Sequence, residues 1–187
     1  MARRPPGYRL RWPAGVTLWE PHRPALTALK EELLASAGPP ARERRVVGGD
    51  LAAEGWPDAL RDAGFRPDVP SAWLLEGLLY YLERTVAVGI LRQAAAVAAA
   101  GSRPGADFVT EDFLTSPLTQ AHVERMAAWG APLRFGTNHP EDVLRSCGWD
   151  DVVMKEPGAG EGRWRRPVAP RSLPGVPRSF LVTAARR

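Results

Sequence analysis

Short apolar or β-branched runs alternate along this chain with longer series in which apolar residues recur every three or four positions. The first pattern predicts strands and the second helices. Strands are expected over residues 16–19, 45–48, 71–75, 106–110, 151–154 and 178–184. Helices are expected over 25–37, 57–63, 83–100 and 140–147, and another from Ser116-Pro117 to near Gly130. Leu26, Leu29 and Leu33 would form the inward face of the first helix, which Gly38-Pro39-Pro40 stops. Val86, Ile90, Ala94 and Val97 would do the same in the longest, closed by Gly101, and Val123 and Met126 in the next. Ser116 reads as an N-cap with Pro117 at the first helical position, and Pro57 opens its own helix similarly. The strand at 71–75 reads as buried. Such alternation argues for an α/β fold with a mostly parallel sheet. The last two strands lack a long helix between them, so an antiparallel hairpin is expected at one edge.

Length and composition narrow the class. A chain of 187 residues suits one domain rather than two. Its 44% hydrophobic and 25% charged residues are those of a soluble globular protein. No apolar run reaches the roughly 18 residues that a membrane helix needs, and no apolar stretch follows the N-terminus as in a signal peptide. The single cysteine, Cys147, excludes an internal disulfide and a cysteine-rich zinc site, and reads as a small buried residue. A cytoplasmic location is the simplest expectation.

The net charge of +4 raises the question of a nucleic-acid partner. Lys30 and Lys155 are the only lysines, so 23 of the 25 basic residues are arginine, the mark of a GC-rich coding bias. These arginines are interspersed with acids. The densest group, Arg163, Arg165, Arg166 and Arg171, lies in a Pro/Gly-rich stretch that reads as a solvated loop. Neither a nucleic-acid nor a membrane partner is expected. His22, His122 and His139 have no ligand spacing, so no metal site is expected.

Open parallel sheets bind ligands beyond the carboxyl ends of their strands. Four successive predicted strands end on acids: Glu20 with His22, Asp50 with Leu51, Glu76, and Glu111-Asp112. Carboxylates there can accept hydrogen bonds from ribose hydroxyls or an adenine amino group. A lone acid of this kind is more often a cap or a solvated turn; four in corresponding places are harder to dismiss.

Here the chain resembles a known family. Trp73-Leu74-Leu75-Glu76-Gly77-Leu78-Leu79-Tyr80-Tyr81-Leu82 is similar to the W-L-x-E-G-L-L-x-Y-L stretch of leucine carboxyl methyltransferase-like proteins, which are class I S-adenosylmethionine-dependent methyltransferases. Tyr8-Arg9-Leu10 with Trp12-Pro13 resembles that family's D-T-R-A-Y-R-L-x-W-P, and Val16 to Pro24 its V-x-V-x-E-V-D-x-P. Residues 46–51 resemble V-x-x-D-L, Glu111-Asp112-Phe113 resembles E-D-F, and Gly148-Trp149 and residues 179–184 resemble the closing G-W and L-V-T-A. No motif is specific alone; their order over nearly the whole chain is.

The resemblance implies a Rossmann-like class I methyltransferase sheet, mostly parallel with a C-terminal antiparallel strand, in a single domain over 1–187. It implies S-adenosylmethionine as cofactor and a carboxylate or hydroxyl of a small molecule as methyl acceptor. Asp50 and Leu51 match the adenine contacts, Glu76 the acid near the methionine part, and Tyr81 the family tyrosine; helix packing is expected for Tyr80. Two departures stand out. Nothing in the chain corresponds to the family's first strand and glycine-rich G-x-G-x-D-T-R turn, so an N-terminally truncated sheet lacking that strand is expected. The ribose-binding aspartate is replaced by His22, although Glu20 lies on the same side of an extended chain. A competing reading is therefore a catalytically silent truncated member or a gene-model fragment. Strands flanking the absent one would leave a gap or close up and pair. An edge left open invites pairing with a second chain, so self-association and marginal stability are expected.

Overall fold

The computed structural model describes residues 6–159 and 173–187. Arg163, Arg165, Arg166 and Arg171 lie outside them. The chain divides into two compact units, Met1–Arg66 and Pro67–Arg187.

In the first unit a single turn of helix, α1 (Pro6–Arg9), precedes β1 (Leu18–His22), α2 (Pro24–Leu34), β2 (Arg44–Gly48) and α3 (Trp56–Asp62). β1 and β2 pair in parallel, with Glu20 opposite Val46 and His22 opposite Gly48. β1 starts two residues later than expected and runs through Pro21. The Leu18 N–H donates to the Glu43 carbonyl at 2.8 Å, so the even-numbered residues face β2 and Pro21 faces the unpaired edge. A proline is tolerated there because no donor is needed. α3 packs over both strands. Its Trp56 and Leu60 join Val47 and Phe65 in a small buried core, and Trp19 meets Phe65 edge-on at 5.9 Å.

α2 overturns the expected packing. Leu26, Leu29 and Leu33 are 50%, 51% and 71% exposed, and the helix has no buried residue. Its half-buried side is Thr27, Lys30 and Leu34. The Lys30 ammonium donates to Glu20 Oε2 at 2.7 Å, so an ion pair rather than the leucine stripe orients the helix on its strands.

The second unit holds β3 (Ala72–Leu75), a tight helical turn (Leu79–Tyr81), α4 (Arg84–Val97), β4 (Arg103–Val109), α5 (Glu111–Thr115), α6 (Gln120–Ala128), α7 (Pro140–Ser146), β5 (Asp150–Lys155) and β6 (Ser179–Ala185). The strand order is β3-β4-β6-β5. β3 and β4 are parallel, and β6 is antiparallel to both neighbours. The expected closing hairpin is thus present, with its second strand inserted inside the sheet. β3 is less buried than expected: Ala72 is exposed, Leu74 is 60% exposed and only Leu75 is buried, because this strand sits at an edge.

α4 ends at Val97, three residues early, and Gly101 (φ 84°) turns the chain into β4 instead. Its buried side adds Ala87, Leu91 and Ala95 to the expected Ile90, Ala94 and Val97, while Val86 is only half-buried. The expected helix from Ser116 is two helices. Thr110 caps the first, its hydroxyl accepting the Phe113 N–H at 3.2 Å. Ser116 closes α5 rather than opening α6, and its hydroxyl accepts the Leu118 N–H at 3.3 Å. Val123 and Met126 are half-buried on α6. Trp149 is wholly buried and its indole N–H donates to the Leu91 carbonyl at 3.0 Å, joining the α7–β5 turn to α4. Among the described residues no helix is long and apolar enough to cross a membrane.

Candidate functional site

The parallel pairing of β1 and β2 carries their carboxyl ends out side by side. The Gly49 N–H donates to the His22 carbonyl at 3.0 Å, beyond the last ladder pair. Asp50 and Leu51 follow in a turn. Asp50 is exposed, accepts the Ala52 N–H at 3.0 Å and pairs with Arg23 at 2.9 Å. The Ala52 N–H foremost, and then Arg23, hold its carboxyl below the ordinary value, although the little desolvation it feels acts the other way. A side chain at Gly48 would meet nothing within 4 Å, and one at Gly49 only the Trp56 Cβ at 3.7 Å, so a flat group can approach this turn.

Glu20 and His22 lie on one side of β1, with Glu20 Oε2 4.0 Å from His22 Nε2. The same carboxylate oxygen accepts from Lys30 Nζ at 2.7 Å and from Arg44 Nε at 2.9 Å. Burial pushes the Glu20 pKa up, but the hydrogen bonds from Arg44 and Lys30 outweigh it and the net shift is downward. Burial and then the Lys30 ammonium, 3.3 Å away, push His22 down despite Glu20. His22 is thus neutral at pH 7, and Glu20 is an anion already bound on one oxygen.

In the second unit β3 ends at Leu75, opposite Ala106, while β4 runs on to Val109. Glu76 is exposed. Gly77 (φ 64°) takes a left-handed turn and its N–H donates to Asp107 Oδ1 at 2.9 Å. Burial, with Glu76 nearby, raises the Asp107 carboxyl, against the Gly77 N–H that lowers it. Tyr80 is pushed up to about 12 by burial and then by Asp107 and Tyr81. The rings of Tyr80 and Tyr81 lie 4.7 Å apart. Tyr80 is half-buried in the tight helical turn, and its carbonyl accepts the Arg134 N–H at 2.7 Å. Glu111 and Asp112 form the first turn of α5, a placement that its dipole favours.

Each unit therefore gathers its own acids at its own carboxyl edge: Glu20, His22, Asp50 and Leu51 in the first, Glu76 and Tyr81 in the second. Against this geometry, residues 6–95 match the leucine carboxyl methyltransferase family. That span is just under half of the chain, and over it the chain is similar to this family. The match runs from the first unit into the second.

A protein of Mycolicibacterium vanbaalenii named for the S-adenosyl-L-methionine-dependent methyltransferases is 36% identical over 189 aligned positions, covering 95% of this chain and 60% of the relative. The chain thus spans about three-fifths of the length of that relative. Among solved structures, a DUF574 family protein from Streptomyces avermitilis superposes with a TM-score of 0.60 at 16% identity, over 90% of this chain and 64% of that one. Human N-acetylserotonin methyltransferase, crystallised with S-adenosylmethionine, gives 0.55 at 13% identity, over 92% of this chain and 41% of that one. The fold is that of class I S-adenosylmethionine-dependent methyltransferases.

The residue that sequence reading passed over is Asp107, which the Tyr80 hydroxyl meets. The signal for Asp107 was local: it stands between buried Ala106 and Phe108, where strand alternation turns it to the other face. Among the described residues no group of three or more His, Cys, Asp or Glu side chains is arranged to hold a metal ion.

Proposed function

We propose that this chain works as an S-adenosylmethionine-dependent O-methyltransferase, acting in the cytoplasm on a carboxylate or hydroxyl of a small molecule, with its two units forming one domain. The observation that carries the reading is the pair of exposed carboxylates, Asp50 and Glu76, on turns directly after parallel strands within the span of the family match. Each unit offers groups of the kind that this cofactor binds. The open Gly48-Gly49 turn admits a flat ring, with Asp50 to accept the adenine amino group and Leu51 to cover its face. Glu76 offers a carboxylate to the methionine ammonium, with Tyr81 one turn on. The second oxygen of Glu20 and the His22 ring are what remain for the ribose hydroxyls. When bound, S-adenosylmethionine supplies a methyl group on a sulfonium. The chain's part is then to hold donor and acceptor in line, which by itself gives much of the acceleration in such transfers.

A silent family member is the second reading. It is favoured by the neutralisation of Glu20 by Lys30 and Arg44 and by the neutral His22 beside it. Among the described residues β1 and β3 are end strands of their own sheets, and an end strand left unpaired would let such a chain associate with a second copy. Incubation with S-adenosylmethionine labelled in its methyl group, against pools of small carboxylic acids and phenols, separates these readings. Base-labile label marks an ester and base-stable label an ether, and no transfer to any pool supports the silent member.

A further inference from the structure

An open cleft of about 490 Å3 lies in the second unit beyond the carboxyl end of β4, lined by Arg84, Glu111, Asn138, His139 and their neighbours. Its wall is built by two crossing segments. The Thr137 N–H donates to the Val109 carbonyl at 2.9 Å, and the Glu111 N–H to Asn138 Oδ1 at 3.2 Å. A Cβ on Gly136 would stand 2.6 Å from the Thr110 carbonyl oxygen, so only glycine permits this crossing.

The cleft holds two carboxylates, and one of them, Asp142, is paired with Arg145 at 3.3 Å. Most described arginines near acids are paired: Arg44 with Glu20 and Glu31, Arg134 with Glu83, Arg145 with Asp142, Arg187 with Asp151. Arg84 is not. Its neighbour Glu83 is taken by Arg134 at 2.6 Å, and Arg84 lies over the Phe135 ring at 5.4 Å with no ion pair among the described residues. The Glu111 side chain also makes no hydrogen bond or ion pair among them. Asn138 spends its oxygen on the Glu111 N–H, leaving its amide donors for the cleft. One concavity thus offers a guanidinium with amide donors, which suits a carboxylate, and a separate carboxylate, which suits an ammonium.

We infer that this cleft binds the zwitterionic head of a small amino acid, with Arg84 and Asn138 on its carboxylate and Glu111 on its ammonium. That the amino acid is the methyl acceptor rests on the proposed methyltransferase function. The methionine end of the cofactor has the same chemistry, and the test separates the two sources.

The full chain is titrated with L-phenylalanine, 3-phenylpropanoate and 2-phenylethylamine, followed by calorimetry and by amide NMR. The amino acid is expected to bind at least tenfold more tightly than either singly charged analogue, shifting the Asn138 side-chain and Glu111 backbone resonances. Arg84→Gln should reduce its affinity to that of the amine, and Glu111→Gln to that of the carboxylate. Equal affinity for the three probes, or shifts that avoid Asn138 and Glu111 in the unsubstituted chain, would overturn the inference even if a variant failed to fold. Saturating S-adenosylhomocysteine should leave the phenylalanine affinity unchanged or tighter; competition between them would overturn the acceptor assignment. Failure of phenylalanine to bind while S-adenosylhomocysteine binds sinks this inference and leaves the methyltransferase reading intact. Phenylalanine binding in a chain that does not bind S-adenosylhomocysteine upholds the amino-acid site and refutes that reading.

Discussion

The backbone N–H of Gly77 donates to Oδ1 of Asp107 at 2.9 Å, tying the turn that carries Glu76 to the neighbouring strand β4. The turn needs a left-handed residue, which glycine supplies, and the carboxylate satisfies an N–H that no ladder reaches.

Asp107→Ala is expected to cost about 1–3 kcal/mol, the usual penalty for stranding such a donor. The pH dependence has an uncommon sign. Burial raises the Asp107 pKa above its ordinary value of 3.8, so the folded chain holds more protons than the unfolded one between those two values. Stability from this group falls as pH rises through that window and is level above it. Chemical denaturation of the parent and of Asp107→Asn across acidic pH tests this: the parent should lose more stability over the window than the variant.

Glu20 carries the opposite sign. Its net downward shift means that its contribution is present above the ordinary value of 4.5 and is lost as pH falls through the lowered one. Glu20→Gln leaves Lys30 and Arg44, 20% and 7% exposed, short of their shared partner. Removing one member of a largely buried set costs about 3 kcal/mol, although Glu31 still pairs with Arg44. Thermal unfolding should show that loss at pH 7 and a smaller difference at pH 3.

Replacing His22 by the acid of the family motif tests its departure from that motif. In His22→Asp the new carboxylate would stand near Glu20, 4.0 Å from His22, but also near the Lys30 ammonium, 3.3 Å from it. A charged hydrogen bond is worth about 1.5–3 kcal/mol, so S-adenosylhomocysteine should bind roughly tenfold more tightly after the repulsion is subtracted. Equal or weaker binding would show that His22 does not stand in a ribose site.

The element boundaries that punctuation marks, at Pro57 and Pro140, were legible in the sequence, as were the acids Asp50 and Glu76 just beyond strand ends; the strand expected to stop at Glu20 instead runs on to His22, with Glu20 at its middle. The orientation of α2 was not. Periodicity reveals that Leu26, Leu29 and Leu33 share a face, but not which face is covered, and the Lys30–Glu20 pair that decides it joins residues from different elements. Ser116 before Pro117 has the look of a cap, but Thr110 had already started a helix six residues earlier. Tyr80 and Asp107 meet across a turn whose shape depends on Gly77, a relation that spacing alone does not carry.

The reversed face of α2 is itself measurable. Leu33, 71% exposed, should accept Leu33→Lys within about 0.5 kcal/mol, as surface sites do. Lys30→Met should cost clearly more, because it breaks the pair with Glu20. Paired urea titrations compare the two, and the reverse order would contradict this packing.

The central claim is that the acids at the strand ends hold S-adenosylmethionine, and the most direct measurement is calorimetric titration of the 187-residue chain with S-adenosylhomocysteine. The proposal predicts saturable one-to-one binding that Asp50→Ala and Glu76→Ala each weaken about tenfold to a hundredfold, as the loss of a charged hydrogen bond requires. Undiminished affinity in both variants, or no binding by the parent, would contradict it.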